Sequence, residues 1–123
     1  MRKIEIVTDR VKMKAEFNES DTASKIYNSL PLESSVRTWG DEIYFEIPVD
    51  AEPENPKETV ELGDLAYWPQ GGGFCIFFGK TPVSRGDEIR PASAVNPVGK
   101  LEGDPKRFKE VSDGDKIKIK KAD

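Results

Sequence analysis

The 123-residue sequence predicts a mostly β fold: a closed, antiparallel barrel with two short helices. Two observations carry the β reading, and a resemblance described below implies the closed barrel. Short segments in which apolar and polar residues alternate recur along the chain, separated by Gly, Pro and Asp. Two further runs, Leu65 to Trp68 and Phe74 to Phe78, are apolar throughout and flank Pro69-Gln70-Gly71-Gly72-Gly73. Alternation is the mark of a half-buried strand, and short apolar runs bounded by turn residues fit strands covered on both faces.

Taken in order, Ile4 and Ile6 predict a first strand, and Val11, Met13, Ala15 and Phe17 a second, with Thr8-Asp9-Arg10 as the turn. Asn18 to Asp21 are helix-starting residues. Ala23, Ile26, Tyr27 and Leu30 follow at helical spacing, so a short helix is expected over 21–30, stopped by Pro31. A helix this short is marginal alone and must cover an apolar surface, such as the open end of a barrel. Ile43, Phe45 and Ile47 alternate with Tyr44 and Glu46, whereas 49–59 read as an acidic, proline-bearing loop. Residues 90–99 suggest an irregular strand. Asp104-Pro105 suits an N-cap followed by a first-turn proline, opening a second short helix with Phe108 and Val111 inward. Ile117 and Ile119, alternating with lysines, predict a closing edge strand, where lysines deter pairing with other chains. The expected core comprises Val11, Met13, Phe45, Phe74, Ile76, Phe78 and Ile117.

Composition narrows the function. The length fits one domain over 1–123. No run approaches the roughly 20 apolar residues of a membrane span, and the basic pair Arg2-Lys3 is not followed by the apolar run of a signal peptide, so a cytoplasmic location is expected. The net charge is −4 with both signs interspersed, which argues against nucleic acid or an anionic membrane as partner. Histidine is absent and Cys75 is the single cysteine. Triads with His, His-containing zinc sites and intrachain disulfides are thereby excluded; no metal, cofactor or catalytic residue is expected. Charged residues make up 34% of the chain and Gln70 is the one glutamine, the charge-rich, amide-poor pattern of heat-adapted proteins.

Gly-Asp occurs at 40–41, 63–64, 86–87, 103–104 and 114–115, the first three evenly spaced. Either an internal repeat or turn chemistry would produce this; the flanks agree poorly, which favours turns.

The segment 63–82, GDLAYWPQGGGFCIFFGKTP, resembles the central hairpin of cyclophilins. There a strand, a glycine-rich loop and an aromatic strand ending near Lys-Thr floor a proline-binding groove. The resemblance extends in order through helix 21–30, Ser34-Ser35-Val36-Arg37-Thr38 and Val98-Gly99-Lys100, and is nearest to short, atypical cyclophilin-like domains of prokaryotes. It implies a barrel of roughly eight strands. It also exposes departures from the isomerases. Val36-Arg37-Thr38 replaces a Phe-His-Arg run, Glu46 replaces a glutamine, and Trp68 stands where the groove has a small alanine.

Eight of the eleven aromatic residues lie between 39 and 78. The groove resemblance assigns Phe74, Ile76 and Phe78 to the core. It sets Trp68, Cys75 and Phe77 on the outer concave face with Tyr44 and Glu46, and Arg37 nearby as a clamp for a carboxylate or carbonyl. For each of these a structural role is the alternative: core aromatics, a solvated Arg37 paired with Glu46 or Glu42, an inert buried Cys75. The Gly71-Gly72-Gly73 loop could cradle an anion but is more simply a hairpin loop. The reading that follows is a non-catalytic binding module for a small amide-containing ligand or peptide segment, held by Arg37, Tyr44, Glu46, Trp68, Cys75 and Phe77. The alternatives are a peptidyl-prolyl isomerase of low activity and a partner domain of an oxoprolinase-like, amide-processing enzyme, which would bring an enzyme-subunit partner.

Overall fold

In the computed structural model, which describes residues 2–122, nine strands form one antiparallel sheet. They are β1 (Arg2–Val7), β2 (Lys12–Phe17), β3 (Leu32–Ser35), β4 (Arg37–Thr38), β5 (Glu42–Glu46), β6 (Asp64–Trp68), β7 (Gly73–Phe77), β8 (Asn96–Leu101) and β9 (Lys116–Lys121). The sheet order is β3-β9-β1-β2-β8-β6-β7-β5-β4. Its two end strands are successive pieces of one stretch, 32–38. That stretch pairs with β9 through Leu32–Ser35 and with β5 through Arg37 and Thr38. Val36 continues the ladder between them, its N–H donating to the Asp115 carbonyl and its carbonyl accepting from Gly114. Counted as one bent strand, 32–38 closes eight staves into a nearly closed barrel, which removes the exposed strand edges of an open sheet.

The interior follows the alternation. Ile4, Ile6, Val11, Met13, Ala15, Phe17, Phe45, Phe74, Ile76, Phe78, Ile117 and Ile119 are all buried in one cluster, as the period-two pattern requires. All the core residues expected from the sequence are among them. Helix α1 (Asp21–Asn28) begins at Ser20, whose hydroxyl accepts from the Ala23 N–H. It ends at Asn28, two residues short of the expected Leu30. It covers the barrel end near Asn96 with Ala23 and Ile26. The second helix, Pro105–Glu110, is a 3-10 helix capped by Asp104; it buries Phe108 against Phe78, ring centroids 6.3 Å apart, near the other end. Four of the five Gly-Asp glycines (40, 63, 86 and 114) have positive φ, the turn chemistry expected of them.

Two expectations are corrected. Strand β9 is not an edge: it lies between β1 and β3 and is paired on both sides, because 32–38 returns to it after the first helix. Residues 96–101, not 90–99, form the strand, paired with β2 and with β6, its register against β6 shifting by one residue between Leu65 and Ala66.

Candidate functional site

Strand β7 is buried at every position, and its two faces have different partners. Phe74 and Ile76 face the barrel core. Cys75 and Phe77 face outward into a second, smaller cluster with Ala66, Ile89 and Val95, against which Tyr44, Val60 and Trp68 pack. A strap formed by 80–95 covers that outer face. It is fastened by backbone bridges Lys57–Val95 and Val60–Ile89. Within the strap, Ser84 braces the turn, its hydroxyl accepting from the Thr81 and Arg90 N–H groups at 3.0 Å each.

Where the strap meets the sheet it leaves a cavity of about 260 Å3, lined by Trp39, Glu42, Tyr44, Trp68 and Cys75 from the sheet side and by Pro91, Ala92 and Val95 from the strap. A wider depression of about 540 Å3 at 7–9, 33–35 and 116–118 is lined largely by exposed polar side chains. It lacks the convergence of apolar walls and buried polar groups that marks a ligand site.

The β4–β5 hairpin supplies Trp39 and Glu42. The Trp39 N–H donates to the Glu42 carbonyl at 2.9 Å, and Asp41 N–H donates to the Lys80 carbonyl at 2.8 Å. Gly40, with φ of 63°, makes this turn, and a Cβ there would lie 2.9 Å from the Lys80 carbonyl oxygen. The hairpin is thus seated on the root of the strap. Alternation then turns Glu42 and Tyr44 to the outer face, while Ile43 and Phe45 enter the core. On β6, Trp68 meets Tyr44 edge-on at 6.2 Å between centroids. Its indole N–H donates to the Ser93 hydroxyl at 2.5 Å, tying the ring to the strap. The ring also lies against Gly71: a Cβ on that residue would fall 2.3 Å from Cε3 and Cζ3. Glycine at 71 therefore makes room for the indole.

The polar element of the cavity is Glu42. The residue is only 5% exposed, and among the described residues its Oε1 has no hydrogen-bond partner. Burial pushes its carboxyl up to about 7, against the opposing effect of a hydrogen bond with Cys75. Burial and the neighbouring carboxylate push the Cys75 thiol well up as well, so the sulfur is held as a thiol and not as a nucleophilic thiolate. An unpaired buried carboxyl oxygen is costly in a folded protein.

Of the six residues expected from the sequence, Tyr44, Trp68 and Cys75 come together on this cavity. Phe77 lies in the adjoining cluster, fully buried beneath the strap. Arg37 is exposed on β4, opposite Tyr44 in the ladder, and Glu46 is exposed opposite Gly73; neither lines the cavity. Sequence reasoning missed Trp39, Glu42 and the strap residues. Glu42 carried a signal: it shares the parity of Tyr44 on β5. The strap carried none, because no periodicity marks 80–95.

A barrel of this topology with its aromatic hairpin at 64–77 agrees with the family comparison: the model of the cyclophilin-like family matches residues 2–120. The chain belongs to the cyclophilin-like family. Among solved structures, this cyclophilin-like protein is similar to a hypothetical protein from Archaeoglobus fulgidus determined in solution. The two are 41% identical, with a TM-score of 0.83, over 98% of this chain and 95% of the other. No curated protein matches significantly. Among the described residues of the cyclophilin-like chain, no helix is long and apolar enough to cross a membrane.

Proposed function

We propose that this cyclophilin-like protein is a binding module that holds a small amide-containing molecule or peptide segment in the cavity between the β5–β7–β6 face and the strap. The observation that carries the reading is the Glu42 Oε1 atom, buried without a partner at an aromatic-walled cavity. A ligand N–H would satisfy it, and Trp39, Tyr44 and Trp68 would cover the ligand's apolar body, the usual division of labour in small-molecule sites. The same geometry supports a non-catalytic role. Burial holds the Cys75 thiol protonated and the guanidinium of Arg37 stands off the cavity, so neither a thiolate nucleophile nor an arginine donor to an imide nitrogen faces the ligand.

The test is an NMR titration of the labelled protein with butyramide and with acetylated dipeptide amides. Saturable shifts confined to the amides of residues 39–44, 66–68, 75–77 and 91–95 are expected for at least one of them. Shifts scattered over the surface, or none at millimolar probe, would overturn the reading. Catalytic turnover of a proline peptide, abolished by Arg37→Ala, would replace it with isomerase activity.

A further inference from the structure

Resting on that binding reading, we propose that the amide-containing molecule or peptide segment seats a protonated amine, not its neutral amide, against Glu42, so that the site selects an organic cation with an apolar stem. Three observations converge on it. Among the described residues, the one group lining the cavity that can carry full charge near neutral pH is a carboxyl, and no Lys or Arg lines it. Among the described residues, that carboxyl's buried Oε1 has no hydrogen-bond partner, so it lacks a donor. Three aromatic residues, Trp39, Tyr44 and Trp68, line the same space, and the faces of such rings attract cations.

Other ligand classes fit less well. An anion would meet a carboxyl with no countercharge. A divalent metal ion would find one carboxylate and one thiol, too few protein ligands for the oxygen-rich shells of hard cations or the four-ligand sites of zinc. A neutral amide could pair with the protonated acid, yet it draws nothing extra from the aromatic walls. An ammonium group satisfies Oε1, pairs with the carboxylate charge and is attracted by the rings together. An alkyl stem would pass along Pro91, Ala92 and Val95.

Binding of such a cation is linked to a proton. Glu42 faces the titratable Cys75 from β7 and Tyr44 from its own strand, and the strap brings only Pro91, Ala92 and Val95, which carry no charge. With its carboxyl held up to about 7, the empty site is largely protonated in mild acid. The ammonium binds the carboxylate form, so one proton leaves to solvent for each amine bound below that pH. An alkylammonium, like a lysine side chain with its value near about 10.4, stays protonated throughout.

The experiment measures the affinity of n-butylammonium, butyramide and Nα-acetyl-lysine N-methylamide, whose side-chain amine is free, by NMR titration between pH 5 and 8. The lysine derivative separates a side chain carried by a peptide from a free amine. At pH 8 n-butylammonium should bind on the order of tenfold or more tightly than butyramide. Its affinity should fall by up to about tenfold per pH unit below 7, while butyramide shows no loss of affinity toward acid. Glu42→Gln should abolish the preference; because that variant changes a buried group, the wild-type pH profile stands as an independent measure. Equal affinities for amine and amide, a flat amine profile, or a preference that survives Glu42→Gln would overturn the cation assignment while leaving the binding module in place. Failure of every probe to shift the cavity residues would overturn both.

Discussion

Glu42 and Cys75 meet diagonally across the β5–β7 ladder. Tyr44 is the direct partner of Cys75, and Phe77 that of Glu42, so the carboxyl reaches the thiol two residues off register on the outer face. Diagonal neighbours in antiparallel pairs lie within reach of long side chains. The thiol opposes the effect of burial on the carboxyl, and among the described residues Oε1 of that carboxyl has no hydrogen-bond partner, which makes this pair the chemically distinctive feature of the barrel's outer face.

Stability should fall as pH rises from about 4.5 to about 7. The Glu42 carboxyl is held above its ordinary 4.5, to about 7, so the folded state binds this proton more tightly than the unfolded chain. The resulting stabilisation is complete below the unfolded value and lost as pH passes through the folded one. Its size is about 3 kcal/mol, from about 1.4 kcal/mol per unit. Urea denaturation at a series of pH values checks this. Glu42→Gln should remove that part of the slope; an unchanged slope would show that other groups produce it.

Trp68→Ala should weaken ligand binding strongly and stability modestly. The ring lines the cavity, is only partly buried, and is held by Tyr44, Ser93 and Gly71. Losing its stacking surface and its hydrogen bond removes interactions of about 1 kcal/mol each. Calorimetric binding and thermal unfolding on the same variant separate the two effects. A collapse of stability with binding intact would place the ring in the structural core.

Phe78→Ala should cost about 3–5 kcal/mol. The ring is 4% exposed and packs on Phe108 beneath the 3-10 helix. Denaturation midpoints at constant m-value test it; a cost under about 1 kcal/mol would mean that the barrel end repacks freely around the vacancy.

Cys75 should resist thiol reagents at neutral pH in the folded protein and react at once when unfolded. It is 1% exposed, and burial and Glu42 both hold its proton. Rapid modification of the native protein would show that the strap opens readily, since the reactive form is the thiolate.

Much of the barrel was legible in the sequence because strand alternation is local. Ile4 and Ile6, the run from Val11 to Phe17 and the pair Ile117 and Ile119 announce their inward faces through residues two apart. Cap chemistry at Ser20 and Asp104 is equally local. The tertiary structure decided everything that depends on which strands become neighbours. Ile117 and Ile119 read as an edge because nothing in their own segment states that 32–38 will return to pair with them. Phe77, with Cys75 on the outer face, read as cavity wall because the strap that buries it has no period of its own; isolated bridges and the Trp68–Ser93 hydrogen bond hold 80–95 in place. Glu42 was visible as an outward strand residue, but only the strap covering the β5–β7 face turned an ordinary surface carboxylate into a buried one with an unpaired oxygen. Desolvation is a property of what lies above a side chain, and that is set by distant segments of the chain rather than by the residue's sequence neighbours.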